Sequence, residues 1–156
     1  MRILFVCTDN FTRSITAEFC LKDYLKKNQL NDISVTSAGI RANSDISKYS
    51  KLHFKILEEK GIDTTDWTRT PFTKKCFEQY DLIIGMSELH KNFIKKEYNR
   101  DIPLFNEIYK GENSPVNIGT PDNENFEQQM RSLVQYFDDA MPELIRNISK
   151  KYKINM

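Results

Sequence analysis

The sequence predicts an α/β fold: one doubly wound domain with a four-stranded parallel sheet and helices on both faces. Three observations carry this. Short apolar runs without polar alternation, Ile3-Leu4-Phe5-Val6 and Leu82-Ile83-Ile84-Gly85, read as strands buried on both faces. Stretches with apolar residues at helical spacing separate such runs. A loop rich in chemistry leaves the end of the first run, and open α/β sheets hold ligands at the carboxyl ends of their strands.

Taken in order, residues 2–6 form the first strand. A helix follows from Ser14, at its N-cap position, to about Asn28, with Ala17, Cys20, Leu21, Tyr24 and Leu25 on one face. On that face Cys20 reads as core packing. Ile33-Ser34-Val35-Thr36 is the second strand and ends at Ala38-Gly39. After a polar connection, with Asp45 or Ser47 as cap, a helix over about 47–60 buries Leu52, Ile56 and Leu57 and stops at Gly61. Residues 62–72 read as irregular and 73–79 as a short helix before the third strand at 82–85. Ser87 caps a helix to about Tyr98, and 102–105 is the fourth strand. Residues 106–122 read as one long connection, which in a compact domain is usually functional. The last helix, about 124–148, presents Phe126, Met130, Leu133, Phe137, Met141 and Leu144, and Pro142 should kink or divide it.

The 156 residues suit a single domain over the whole chain, 1–156, with a proper core. With 23 basic and 22 acidic residues, no nucleic-acid or membrane-surface partner is advertised. No apolar run approaches the ~20 residues of a membrane span, and the first residues lack the core of a signal peptide. Three cysteines without a paired pattern argue against a secreted disulfide framework. A cytoplasmic enzyme is the expectation.

The loop is Cys7-Thr8-Asp9-Asn10-Phe11-Thr12-Arg13-Ser14. It brings a thiol, a run of backbone N–H groups, a guanidinium and a helix N-terminus to one turn. A cysteine at its usual pKa of about 8.5 is only a few per cent thiolate at neutral pH. Lowering that value to roughly 5.5 needs about 4 kcal/mol of preference for the anion. A helix N-terminus supplies ~0.3–1 kcal/mol, or ~2 in a partly buried site; the loop amides, the Ser14 hydroxyl and the Arg13 charge must supply the rest. The same groups suit a tetrahedral oxyanion, and Arg13 adds a planar fork for two of its oxygens. The plain alternative is a buried Cys7 at a strand end and a solvated Arg13. Yet a cation in the first helical turn opposes the helix dipole, so it needs an anion to justify it.

With Val6-Cys7, Asn10, Arg13-Ser14 and Ala17-Glu18 in register, this stretch resembles the signature of the low-molecular-weight protein tyrosine phosphatases. That signature is Val-Cys-x-Gly-Asn-x-Cys-Arg-Ser-Pro. Further matches are Ser37-Ala38-Gly39, Gly61-Ile62-Asp63, Arg69, the run from Asp81 to Met86, and Pro121-Asp122, in the family's order over nearly the whole chain. The resemblance implies a cysteine-dependent phosphatase of aromatic phosphate monoesters, phosphotyrosine in proteins or a small aryl phosphate. Cys7 would attack phosphorus while Arg13 and the loop, from Thr8 to Thr12 with Ser14, hold the phosphoryl oxygens. Asp122 would protonate the leaving oxygen and then activate water against a cysteinyl-phosphate. The plain alternative for Asp122 is an ordinary turn or cap aspartate, since Pro-Asp-Asn is also a common turn string. The scheme calls for no metal or cofactor. Asn10 suits a left-handed turn; His53 and His90 read as surface or packing residues.

The departures are specific. Asp9 stands where the family has glycine, and turned inward it would repel a phosphate by ~3 kcal/mol at about 6 Å and an effective dielectric of about 20, so it should point outward. Thr12 replaces a second loop cysteine, which leaves no neighbouring thiol for a reversible disulfide and makes over-oxidation the expected end point. Ile15 replaces proline, Asp66 a histidine and Ser87 an aspartate. Asp122-Asn123-Glu124 replaces Asp-Pro-Tyr, and Asn43 falls where an aromatic is common; Phe11 and Tyr49 are the candidate apolar walls. The main rival is a catalytically weak phosphate-binding module of the same fold. A thiol-dependent arsenate reductase would need cysteines after the third strand, where Leu82 to Glu88 has none.

Overall fold

The computed structural model describes residues 1–117 and 124–153. Strand β1 (Arg2–Cys7) lies at the centre of the sheet, flanked by β2 (Ser34–Gly39) and β3 (Leu82–Gly85), all parallel. Ile3 pairs with Val35 on one side and Leu82 on the other, and Cys7 ends level with Gly39. Successive side chains of β1 point to opposite faces. Ile3, Phe5 and Cys7 therefore enter one core, with helices α1 (Arg13–Lys27), α2 (Leu52–Glu59) and α6 (Phe126–Tyr152) contributing Leu21, Leu57 and Phe137. Leu4 and Val6 enter the other, with Cys76 of α3 (Cys76–Gln79) and Ile94 of α4 (Glu88–Tyr98). Ile3 to Val6 are wholly buried, which is why the strand reads as an unbroken apolar run. No helix among the described residues is long and apolar enough to cross a membrane.

The sheet has three strands among the described residues, not four. The 102–105 segment reaches the edge of β3 but forms one parallel bridge, Gly85 with Leu104, in which the Gly85 N–H donates to the Pro103 carbonyl at 2.9 Å. Pro103 has no N–H to extend the ladder. The Leu104 N–H is taken by the Glu107 carboxylate at 2.9 Å, because helix α5 (Phe105–Lys110) already starts there. That helix also corrects the reading of 106–122 as one connection: one and a half turns come first, ending at Gly111 with a φ of +69°.

Helix α1 begins two residues earlier than expected, with Thr12 rather than Ser14 at the N-cap and no side-chain capping bond. Ser14 lies inside the helix, and its hydroxyl faces Cys7. The expected 47–60 helix is shorter, since Asp45 and Ser50 make local turns with the backbone N–H groups of Ser47 and Leu52. α6 runs undivided through Pro142, whose ring is exposed while Met141, Leu144 and Ile145 hold the helix against the core. Packing outweighs the single backbone bond that proline removes.

Candidate active site

β1 delivers Cys7, and α1 delivers Arg13 and Ser14, to the two ends of one loop. Cys7 Sγ lies 2.9 Å from Ser14 Oγ, and the thiol is only 3% exposed. The direction of that hydrogen bond follows from its neighbours. The Thr70 N–H, which can only donate, points at Asn10 Oδ1 at 2.7 Å. The Asn10 amide nitrogen therefore faces inward and donates to Ser14 Oγ at 2.9 Å and Ser37 Oγ at 2.8 Å. With its oxygen accepting from Asn10, Ser14 is set to give its own hydrogen to sulfur, which favours the thiolate. Ser37 donates onward to the Glu18 carboxylate at 2.6 Å, and Lys22 holds the other oxygen at 2.5 Å.

The loop backbone is fixed from outside. Asn10 sits at φ +52°, in the left-handed region. A Cβ on Gly39 would stand 2.7 Å from the Asn10 nitrogen and 2.8 Å from the Thr8 oxygen, so only glycine lets β2 pass this close to the loop. Ile40 and Arg41 donate their N–H groups to the carbonyls of Cys7 and Thr8 at 3.1 and 2.7 Å. Arg69 grips the Asp9 carbonyl through two nitrogens at 3.0 and 2.8 Å and reaches the Ser44 carbonyl at 2.8 Å.

Both histidines expected on the surface or in packing are buried supports of this loop. His53 Nε2 donates to the Phe11 carbonyl at 2.8 Å, and its Nδ1 is buried with no partner among the described residues. Burial pushes its pKa down to about 4, partly opposed by the bond to Phe11. His90 Nδ1 accepts from the Ser87 N–H at 3.2 Å, so its proton sits on Nε2, 3.0 Å from Thr8 Oγ1. Burial, and then the charge of Arg13, push the His90 pKa down to about 3. Ser87, in place of the family's aspartate, thus still serves the loop, by orienting His90. His90 falls three residues after the cap Ser87, where capping boxes reach back, and that spacing is a legible signal. His53 has no comparable one.

Cys7, Thr8, Asp9, Phe11, Thr12 and Arg13 line one cavity of about 210 Å³, closed on the other side by Tyr49, Ser50, Phe126 and Met130. Asn10 and Ser14 lie beneath it, wholly buried. Arg13 gives one nitrogen to the Val116 carbonyl at 3.1 Å, and Val116 itself hangs from the Met86 carbonyl by a 2.9 Å bond. Among the described residues Val116 is the one hydrogen-bond partner of the Arg13 guanidinium, which also lines the cavity. Phe11 is 1% exposed, with its edge against His53, Phe54 and Trp67, so it is more core than rim. Tyr49, 41% exposed, is the outer wall. Asp9 is turned to the side, with its carboxylate accepting from Ser44 Oγ at 2.7 Å and the Tyr49 hydroxyl at 3.1 Å. Asp122, the expected acid, lies outside the described residues. A larger cavity of about 530 Å³ between α5 and α6, with Asn106, Lys110 and Tyr136 in its walls, has neither cysteine nor arginine among its described lining residues. Cys20 is core, as expected, with its thiol pKa raised by burial.

Residues 2–154 match the family described as low molecular weight phosphotyrosine protein phosphatase. The chain is 29% identical over 156 residues to the protein-arginine-phosphatase of Bacillus subtilis (strain 168), covering 98% of this chain and 97% of that one. It is 30% identical over 87 residues to low molecular weight phosphotyrosine protein phosphatase 1 of Drosophila melanogaster, 56% of each chain. Among solved structures, a C7S mutant of the YwlE arginine phosphatase with a phosphorylated active-site serine superposes with a TM-score of 0.84 at 25% identity, covering 99% of this chain and 100% of that one. A low molecular weight protein tyrosine phosphatase from Bacillus subtilis gives 0.82 at 26% identity, covering 97% and 99%.

Proposed function

The chain belongs to the low molecular weight phosphotyrosine protein phosphatase family, and from that membership we propose that it dephosphorylates protein side chains through a cysteinyl-phosphate, with phosphoarginine as the preferred substrate. The observation that carries the phosphatase reading is the 2.9 Å contact between Cys7 Sγ and a Ser14 hydroxyl whose hydrogen is directed at sulfur, beside Arg13 at a helix start. In the first step the Cys7 thiolate forms the P–S bond as the bond from phosphorus to the leaving nitrogen or oxygen breaks. Arg13 and the loop amides hold the charge on the three equatorial oxygens. Asp122, by the family resemblance, gives the leaving atom its proton. In the second step Asp122 takes a proton from water as its oxygen attacks phosphorus and sulfur departs.

Phosphoarginine is put first because the relative matched over nearly the full length is named a protein-arginine-phosphatase and because the carboxylate of Asp9, a residue of the cavity lining, is held against the hydroxyl of the wall residue Tyr49. Phosphotyrosine, the sequence expectation, is the second reading, favoured by the exposed Tyr49 ring against which a phenyl ester can lie. Purified protein should release phosphate from para-nitrophenyl phosphate and from phosphoarginine and phosphotyrosine peptides, and Cys7→Ser should reduce all three to background. Acid-quenched mass spectrometry should find phosphate on Cys7. Phosphate binding without turnover in mildly acidic to neutral buffers would make the protein a binding module instead.

A further inference from the structure

We propose that Asp9 is a specificity-determining residue, selecting a leaving group that carries guanidinium N–H donors over one that carries a phenyl ring. The inference rests on the phosphatase reading of the same cavity.

Asp9 sits in the middle of the cradle loop and lines the cavity together with Cys7 and Arg13. Its carboxylate is held in one place, by Ser44 on Oδ1 and by Tyr49 on Oδ2. Each carboxylate oxygen offers two lone-pair directions, so among the described residues two remain open. The two arginines nearest in function take other partners: Arg69 bonds the Asp9 carbonyl, and Arg13 bonds Val116. Among the described residues no lysine or arginine nitrogen stands within 4 Å of the Asp9 carboxylate; the ten ion pairs found lie elsewhere.

A fixed carboxylate without a cation, beside a site for a dianion, works against binding unless the substrate brings the cation. As a mere latch for the loop, the charge is superfluous: an amide would take the same two hydroxyls as partners. The phosphoryl group occupies the floor, at Arg13 and the helix start, and the leaving group must lie in the mouth beside Asp9 and Tyr49. A flat guanidinium stacks on an aromatic ring as a phenyl does. Only the guanidinium has N–H donors for the two open carboxylate directions, and a charge-assisted bond of that kind is strong. Tyr49 therefore accepts either substrate, and Asp9 separates them.

The test is kcat/KM of wild type and Asp9→Asn on phosphoarginine and phosphotyrosine peptides of otherwise identical sequence. Asp9→Asn should lower the phosphoarginine value about tenfold or more and raise the phosphotyrosine value, as repulsion of the dianion is relieved. Ser44→Ala, which loosens the latch but keeps the charge, should move both values by the same factor. A parallel fall of both values in Asp9→Asn would overturn the assignment, as would an unchanged ratio. Para-nitrophenyl phosphate, with the Cys7→Ser control, separates the two levels. Turnover of that ester with an unmoved peptide ratio defeats the Asp9 assignment alone, and no turnover of any substrate defeats the phosphatase reading too.

Discussion

The Ser14 hydroxyl is the single group whose chemistry is best fixed by its surroundings. Asn10 occupies its oxygen, Thr70 fixes which way Asn10 faces, and the hydrogen is left for Cys7 Sγ. A hydrogen bond to a charged group contributes about 1.5–3 kcal/mol, which is a preference of roughly ten- to hundredfold. Ser14→Ala should therefore slow both the alkylation of Cys7 by iodoacetamide and turnover at pH 6 by about tenfold or more. If the alkylation rate does not change, the hydroxyl is a packing group. The sequence makes this residue visible, because Ser14 is near Cys7 along the chain. Its orientation is invisible there, since the Thr70 amide that sets it lies 60 residues from Asn10.

At the scale of elements, the sheet positions the loop and the loop dictates the sheet's residues in return. β2 must pass the cradle at backbone contact, which excludes a side chain at Gly39. Gly39→Ala should cost about 1–3 kcal/mol through overpacking, lowering the melting temperature by roughly 3–10 °C for a domain of this size. Turnover should drop further than stability does, because the displaced atoms are the amide of Asn10 and the carbonyl of Thr8. Calorimetry and kcat on the same preparation check the pair; a stable variant with normal kcat would mean the loop yields freely. The three strands and most helices are legible in the sequence, the strands as short apolar stretches and the helices by the spacing of their apolar residues. The fourth strand misled for a local reason. Ile102-Pro103-Leu104-Phe105 has strand composition, but proline and the start of α5 remove the donors a ladder needs.

For the molecule as a whole, the two buried histidines tie the architecture of the loop to acid stability. In the fold both stay neutral down to about pH 4 and about pH 3, whereas in the unfolded chain they take up protons below about 6.5. Between those limits the unfolded state binds more protons, so stability falls as pH falls. The loss is absent above pH 6.5 and amounts to about 2–3 kcal/mol per histidine by pH 4.5. Melting temperature should drop accordingly from pH 7 to 4.5, and His53→Gln with His90→Gln should flatten that slope while keeping a donor for Phe11 and Thr8. An unchanged slope in the double variant would assign the acid lability to other groups. By itself the sequence determined the doubly wound class, the family, and the cradle from Cys7 to Ser14, because these depend on short-range spacing and on apolar runs that must be buried. Only the tertiary structure decided what holds the cradle and what faces its mouth. His53, Arg69 and His90 reach the loop across 42, 60 and 82 residues, and Tyr49 meets Asp9 across 40. A hydrogen bond depends on ångström-scale placement of two groups, and residues that far apart along the chain acquire it only when the elements pack.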